Sequence, residues 1–170
     1  MKQTVTICIN GQKYTHEVKT SMTLLDFIRE KACLTGTKKG CDNGDCGSCT
    51  VLLDGKAVLS CMMLAVQADG ASVLTIEGLA GKDGLHPIQK AFIDSGAIQC
   101  GYCTPGMVMA ALALLSVNPS PTESEIRAAM AGHLCRCSGY ENIVKAVDIA
   151  AKAMAQAVYS GKRGDGPCIL

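Results

Sequence analysis

The sequence predicts an α+β fold in which a strand-rich N-terminal domain is followed by an all-α domain. Three observations carry this. Alternating apolar residues and two hairpin dipeptides, Asn10-Gly11 and Asp54-Gly55, fill the first part of the chain. Gly78, Gly81, Gly84 and Pro87 then punctuate a short stretch that reads as a domain boundary. Beyond it the apolar spacing becomes helical and helix-start signals recur. The expected division is 1–78, 79–159 and a Gly-rich tail, 160–170, lying loose or against a partner.

Each element has its own signal. Thr4 to Ile9 alternates, with Val5, Ile7 and Ile9 on one face. Asn10-Gly11 turns the chain into a returning strand, Lys13 to Val18. Thr23 to Glu30 reads as a short amphipathic helix. A Gly- and Cys-rich loop spans Gly36 to Gly47. Val51 to Leu53 and Ala57 to Leu59 flank the second turn, and Val73 to Ile76 is the last strand. In the second domain, Pro87 to Asp94 is a short helix ending near Gly96. Pro105 sits at a favoured first helical position, and that helix runs to about Val117, where Asn118-Pro119-Ser120-Pro121 stops it. Met107 to Leu115 is apolar all round, the mark of a helix buried in a core or against another protein. Thr122 to Glu125 has capping-box spacing and opens a helix through about Ala131. The last helix, Glu141 to Val158, carries Ile143, Val147, Ala150, Met154 and Val158 as one stripe.

Composition narrows the function. The 170 residues carry 16 Lys+Arg against 15 Asp+Glu, so no concentrated basic surface is available for nucleic acid. No apolar run is long enough to span a membrane. The N-terminus shows neither an apolar signal core nor twin arginines, and a cytoplasmic location is expected. Four Tyr, two Phe and no Trp leave the core short of large packing units, while 11 Cys are present. An odd cysteine count in a reducing compartment points to metal rather than disulfides.

The cysteines sort by spacing. Cys41, Cys46, Cys49 and Cys61 form C-x4-C-x2-C-x11-C, the plant-type spacing for a 2Fe–2S cluster. Zinc prefers paired short spacings. Gly40, Gly44 and Gly47 would let the backbone wrap the site and turn N–H groups toward sulfur. Cys100, Cys103, Cys135 and Cys137 form C-x2-C-x31-C-x-C. That pattern alone leaves zinc open beside a cluster. Its setting, with Cys103 just before a helix start and Cys135 and Cys137 between two later helices, places a metal among helix ends. Cys8 and Cys33 read as ordinary thiols, and Cys168, third from the end, does not fit a prenylation box. His133 is expected to cap or support rather than ligate, and Asp42 and Asp45 to be solvated loop carboxylates.

Charge and coordination favour electron carriage. Four thiolates on an oxidised 2Fe–2S core leave about −2 per cluster, so two clusters turn a formal +1 chain negative. A fully thiolate-ligated iron has no open position for substrate. No G-x-G-x-x-G or P-loop is present.

The stretches Gly40 to Cys49, Gln99 to Gly106 and Leu134 to Tyr140 resemble the iron–sulfur subunit of xanthine dehydrogenase-type molybdenum hydroxylases. The resemblance spans about Val5 to Ala157. It implies a β-grasp, plant-ferredoxin-like domain and a four-helix domain, each holding one 2Fe–2S cluster on the eight cysteines above. It implies a large molybdopterin-Mo subunit, usually a medium FAD-binding subunit, and a dimer of heterotrimers. Electrons would pass from molybdenum to the helical-domain cluster, then the ferredoxin-like cluster, then FAD or another acceptor. It further implies that Gln99 and Cys100 sit against the pterin. Ser48 and Ser138 stand where many relatives carry Ala and Thr, and Gly44-Asp45 replaces the Ser-His pair of carbon monoxide dehydrogenases. A free-standing two-cluster ferredoxin and a structural zinc interaction module are the rival readings.

Overall fold

The computed structural model describes residues 1–81 and 84–159. The expected tail, with Cys168, and the side chain of Val158 lie outside the described residues.

Strand β1 (Lys2–Ile9) pairs antiparallel with β2 (Gln12–Lys19). Asn10 at φ 52° and Gly11 at φ 81° supply the two left-handed residues such a hairpin turn needs. Strands β3 (Thr50–Leu53) and β4 (Lys56–Leu59) repeat the device at Asp54-Gly55. Strand β5 (Ser72–Leu74) inserts between the hairpins, parallel to β1 and antiparallel to β3. The sheet order is β2-β1-β5-β3-β4. The turn of helix between the hairpins lies across one face, where Leu24, Phe27 and Ile28 join Val5, Ile7, Ile9, Val51 and Val73 in one core. A sheet closing on a crossing helix is the β-grasp arrangement.

Two expected elements differ. The helix over 23–30 is α-helical only through α1 (Leu24–Asp26), capped by the Thr23 hydroxyl, and then loosens into a π-turn, Phe27–Lys31. Leu24, Phe27 and Ile28 face the sheet, while Leu25 packs with Cys49 and Cys61. The last strand is also shorter than expected. Asn10 Oδ1 accepts from Thr75 N at 2.9 Å and Thr75 Oγ1 donates to Glu77 at 2.6 Å, so side chains take the chain out of the ladder into a tight turn at Ile76–Gly78.

Four helices follow: α2 (Pro87–Asp94), α3 (Thr104–Val117), α4 (Glu123–Met130) and α5 (Glu141–Tyr159). Helix α3 is the centre. Met107 to Leu112 and Leu115 are all buried, because α3 meets α2, α4, β3 and β4. Core packing thus accounts for its apolar surface without a partner. Ile143, Val147 and Ala150 are buried on α5, as its stripe predicts. Leu52 of β3 lies in this helical core, which ties the two halves together.

Candidate iron–sulfur sites

The first cysteine loop is held open from below. Arg29 donates to the carbonyls of Thr35 and Thr37 at 3.0 and 2.7 Å, and Lys38 N to Ser48 O at 3.2 Å. Lys39 pairs with Asp26 and Asp42 at 3.1 and 3.0 Å. Asp42 and Asp45 are exposed loop carboxylates, as expected.

Within the loop the thiols gather in pairs. Cys41 interacts with Cys46, and Cys49 lies 3.4 Å from Cys61. A charge interaction between Cys41 and Cys61 joins the pairs. Cys41 Sγ accepts backbone N–H groups from Asn43, Asp45 and Cys46, which hold its thiol down to about 6. Burial, and then the neighbouring Cys49, pushes Cys61 up to about 12.

The three glycines divide the work differently from the sequence expectation. Gly44 turns an N–H toward the Cys61 thiol. Gly40 leaves room for a sulfur, since a Cβ there would stand 2.7 Å from Cys46 Sγ. Gly47 instead faces the helical half, where a Cβ would stand 2.6 Å from Gly132 O.

The second set forms where the α2–α3 and α4–α5 connections meet. Cys103 is the N-cap of α3. Its thiol interacts with Cys135, and Cys100 interacts with Cys137. Burial, followed by the Cys135 sulfur, lifts Cys103 to about 12. Burial would lift Cys135 too, but the Ser138 hydroxyl at 3.1 Å and Ser138 N at 3.4 Å more than offset it and hold the thiol below its usual range. Tyr140, at φ 70°, returns its hydroxyl to accept from Cys135 N at 2.9 Å and donate to His133 O at 3.2 Å. Cys100, Cys137 and Gln99 are exposed.

The pairing decides what such a set can hold. A two-iron core takes four thiolates, two on each iron. A structural zinc takes its four ligands around one point. Among the described residues, no three His, Cys, Asp or Glu side chains converge on one point closely enough for a single ion. Paired sulfurs with backbone donors aimed at them fit the two-iron case. The ten cysteines among the described residues are all free thiols; Cys33 is exposed, and neither it nor Cys8 joins a set.

The two sets touch through a short segment. Leu134 N donates to Cys46 O at 3.0 Å, one residue before Cys135. Tyr102, inside the C-x2-C turn, donates to Lys39 O at 2.6 Å. His133 is 9% exposed and bonds Thr50 Oγ1 through Nε2 at 3.0 Å. Because Thr50 Oγ1 already donates to Gly47 O at 2.7 Å, it accepts from His133. The imidazole is therefore protonated at Nε2, and Nδ1 is buried with no partner among the described residues. Burial pushes its pKa below the usual histidine range. His133 supports, as expected, but across domains. Thr50, Tyr102 and Tyr140 have no signal in the sequence beyond their position at the cysteine motifs, and Arg29 has none.

Residues 7–75 match the family model of the 2Fe-2S iron-sulfur cluster binding domain, and residues 75–148 that of the [2Fe-2S] binding domain. Fold and site thus define a protein of two iron–sulfur cluster-binding domains in tandem. The chain is 47% identical to the nicotinate dehydrogenase small FeS subunit of Eubacterium barkeri, over 91% of this chain and 98% of that one. It superposes on a chain of quinoline 2-oxidoreductase from Pseudomonas putida with TM-score 0.87 and 44% identity, covering 91% and 97% of the two chains. It also matches the aldehyde oxidoreductase of Desulfovibrio desulfuricans, TM-score 0.84 and 42% identity, covering 94% of this chain and 17% of that one. The chain belongs to the family of small iron–sulfur subunits of xanthine dehydrogenase-type molybdenum hydroxylases.

Proposed function

We propose that Cys41, Cys46, Cys49 and Cys61 hold one 2Fe–2S cluster, that Cys100, Cys103, Cys135 and Cys137 hold a second, and that the chain carries electrons between a molybdenum site and an acceptor on partner subunits. The observation that carries this reading is the pairing of four thiols at each of two sites joined by the Cys46–Leu134 hydrogen bond. The bound clusters supply one-electron acceptance and donation without an open coordination position. The chain's own residues set the direction. Gln99 and Cys100 are exposed and take the contact with the molybdopterin cofactor of a large subunit. The loop at Asp42 to Asp45 is exposed at the other set and faces the acceptor, an FAD-binding medium subunit in a dimer of heterotrimers. The 17% share of a longer aldehyde oxidoreductase chain supports close association with a larger unit. The working division is 1–78 for the ferredoxin-like domain and 79–159 for the helical one. The reading includes a reducing, cytoplasmic setting, since it takes eight of the ten described cysteines as cluster ligands rather than disulfide partners. Among the described residues no helix is long and apolar enough to cross a membrane.

The test is iron and acid-labile sulfide analysis with electron paramagnetic resonance on the dithionite-reduced protein. About four iron and four sulfide per chain with two distinct signals are expected. About two iron with one signal would overturn the two-cluster assignment.

A further inference from the structure

We propose that Gly47 and Gly106 set the separation of the two metal-binding domains and thereby the coupling between their clusters, an inference that rests on the two-cluster reading above. Both glycines stand where one domain's backbone meets the other's. A Cβ on Gly106 would fall onto the Gly47 carbonyl oxygen and stand 3.0 Å from Ser48 Cα. A Cβ on Gly47 would stand 2.6 Å from Gly132 O and 2.5 Å from the His133 ring. The obstacles to Gly106 are all main chain, and Gly47 meets a main-chain oxygen beside the His133 ring, so no rotamer change clears either position.

Gly106 is the more telling of the two. It lies in the first turn of α3 with an ordinary helical φ, where glycine is less favourable than alanine. Its own conformation does not require glycine; only the neighbouring backbone does. Gly47 also sits at φ +69°, so both its conformation and its surroundings exclude a side chain. The position matters because these are the ligand-bearing segments themselves. Gly47 lies between Cys46 and Cys49, and Gly106 is three residues past Cys103. Any widening at this contact passes directly into the distance between the two sets of thiols. His133–Thr50 and Tyr102–Lys39 then hold the contact laterally.

The experiment uses the intact chain as isolated, with any subunits that co-purify, and compares Gly106→Ala and Gly47→Ala with Gly81→Ala. A Cβ on Gly81 meets nothing within 4 Å among the described residues, which makes it the control. Iron and sulfide are counted, and the magnetic interaction between the two reduced clusters is read from signal splitting and spin relaxation. That interaction falls as the inverse cube of separation. The expected result is full iron and both signals in every variant, with the splitting lost or reduced in Gly106→Ala and Gly47→Ala and unchanged in Gly81→Ala. Unchanged splitting in the fully loaded variants overturns the inference. So does failure of both interface variants to load while Gly81→Ala loads normally, since the glycines would then serve loop formation rather than spacing. A parent protein with only one cluster refutes the underlying reading instead, so the two failures are distinguishable.

Discussion

Cys135 shows how single side chains tune a thiol. Burial opposes its ionisation, yet the Ser138 hydroxyl and N–H hold it ionisable. Hydrogen bonds to a ligand sulfur favour the more reduced, more negative cluster. Ser138→Ala is therefore expected to lower the reduction potential of the helical-domain cluster, with Ser138→Thr retaining it. A redox titration followed by electron paramagnetic resonance decides this; equal potentials in Ser138→Ala and the parent would discard the role. Cys135, Ser138 and Tyr140 lie close together in sequence, so the motif was legible. The hydroxyl bridge from Tyr140 to both Cys135 N and His133 O was not, because it depends on Tyr140 adopting φ 70°.

At the level of elements, local chemistry set most boundaries. Helix α2 runs from Pro87 to Asp94, and α4 carries the capping box its Thr122 and Glu125 announce. The cap of α2 is His86, whose Nδ1 accepts from Ile88 N at 3.3 Å. Burial lowers the His86 pKa from 6.5, so the folded chain resists a proton that the unfolded chain accepts. Its contribution is full above pH 6.5 and declines as the pH falls below that value toward the folded pKa. His86→Ala is expected to cost on the order of 1 kcal/mol at pH 8, with a smaller difference at pH 5. Denaturant unfolding of parent and variant at the two pH values measures this; a constant difference would remove the titration argument. Sequence reasoning failed where a tertiary contact outweighed local preference. Leu25 packs on Cys49 and Cys61 while Leu24, Phe27 and Ile28 face the sheet, and the helix passes into a π-turn at Phe27–Lys31. Asn10 reaches across to Thr75 and ends β5 early.

For the whole molecule, the two cysteine sets are chemically separate but mechanically linked. Cys49→Ser is expected to abolish the ferredoxin-like cluster signal and leave the helical one readable, because Cys49 pairs with Cys61 in the first set. Cys137→Ser should do the reverse, and should also loosen the helical domain, since its thiols join the α2–α3 connection to the α4–α5 connection. Spectra of each still-folded variant distinguish the cases; loss of both signals from either single change would contradict two independent sites.

The sequence by itself determined the strand-then-helix order, both hairpins, the two four-cysteine sets and their likeness to one family. Those features are local. A turn dipeptide, a capping box or a C-x4-C-x2-C spacing acts through residues close along the chain. Only the tertiary structure decided how the halves meet. The Gly106–Gly47 approach, the Thr50–His133 bond and the Leu134–Cys46 bond join residues 59, 83 and 88 positions apart. No periodicity records such a meeting, because it arises when two separately specified surfaces close on each other. It is there that the contact between the two cysteine sets is made.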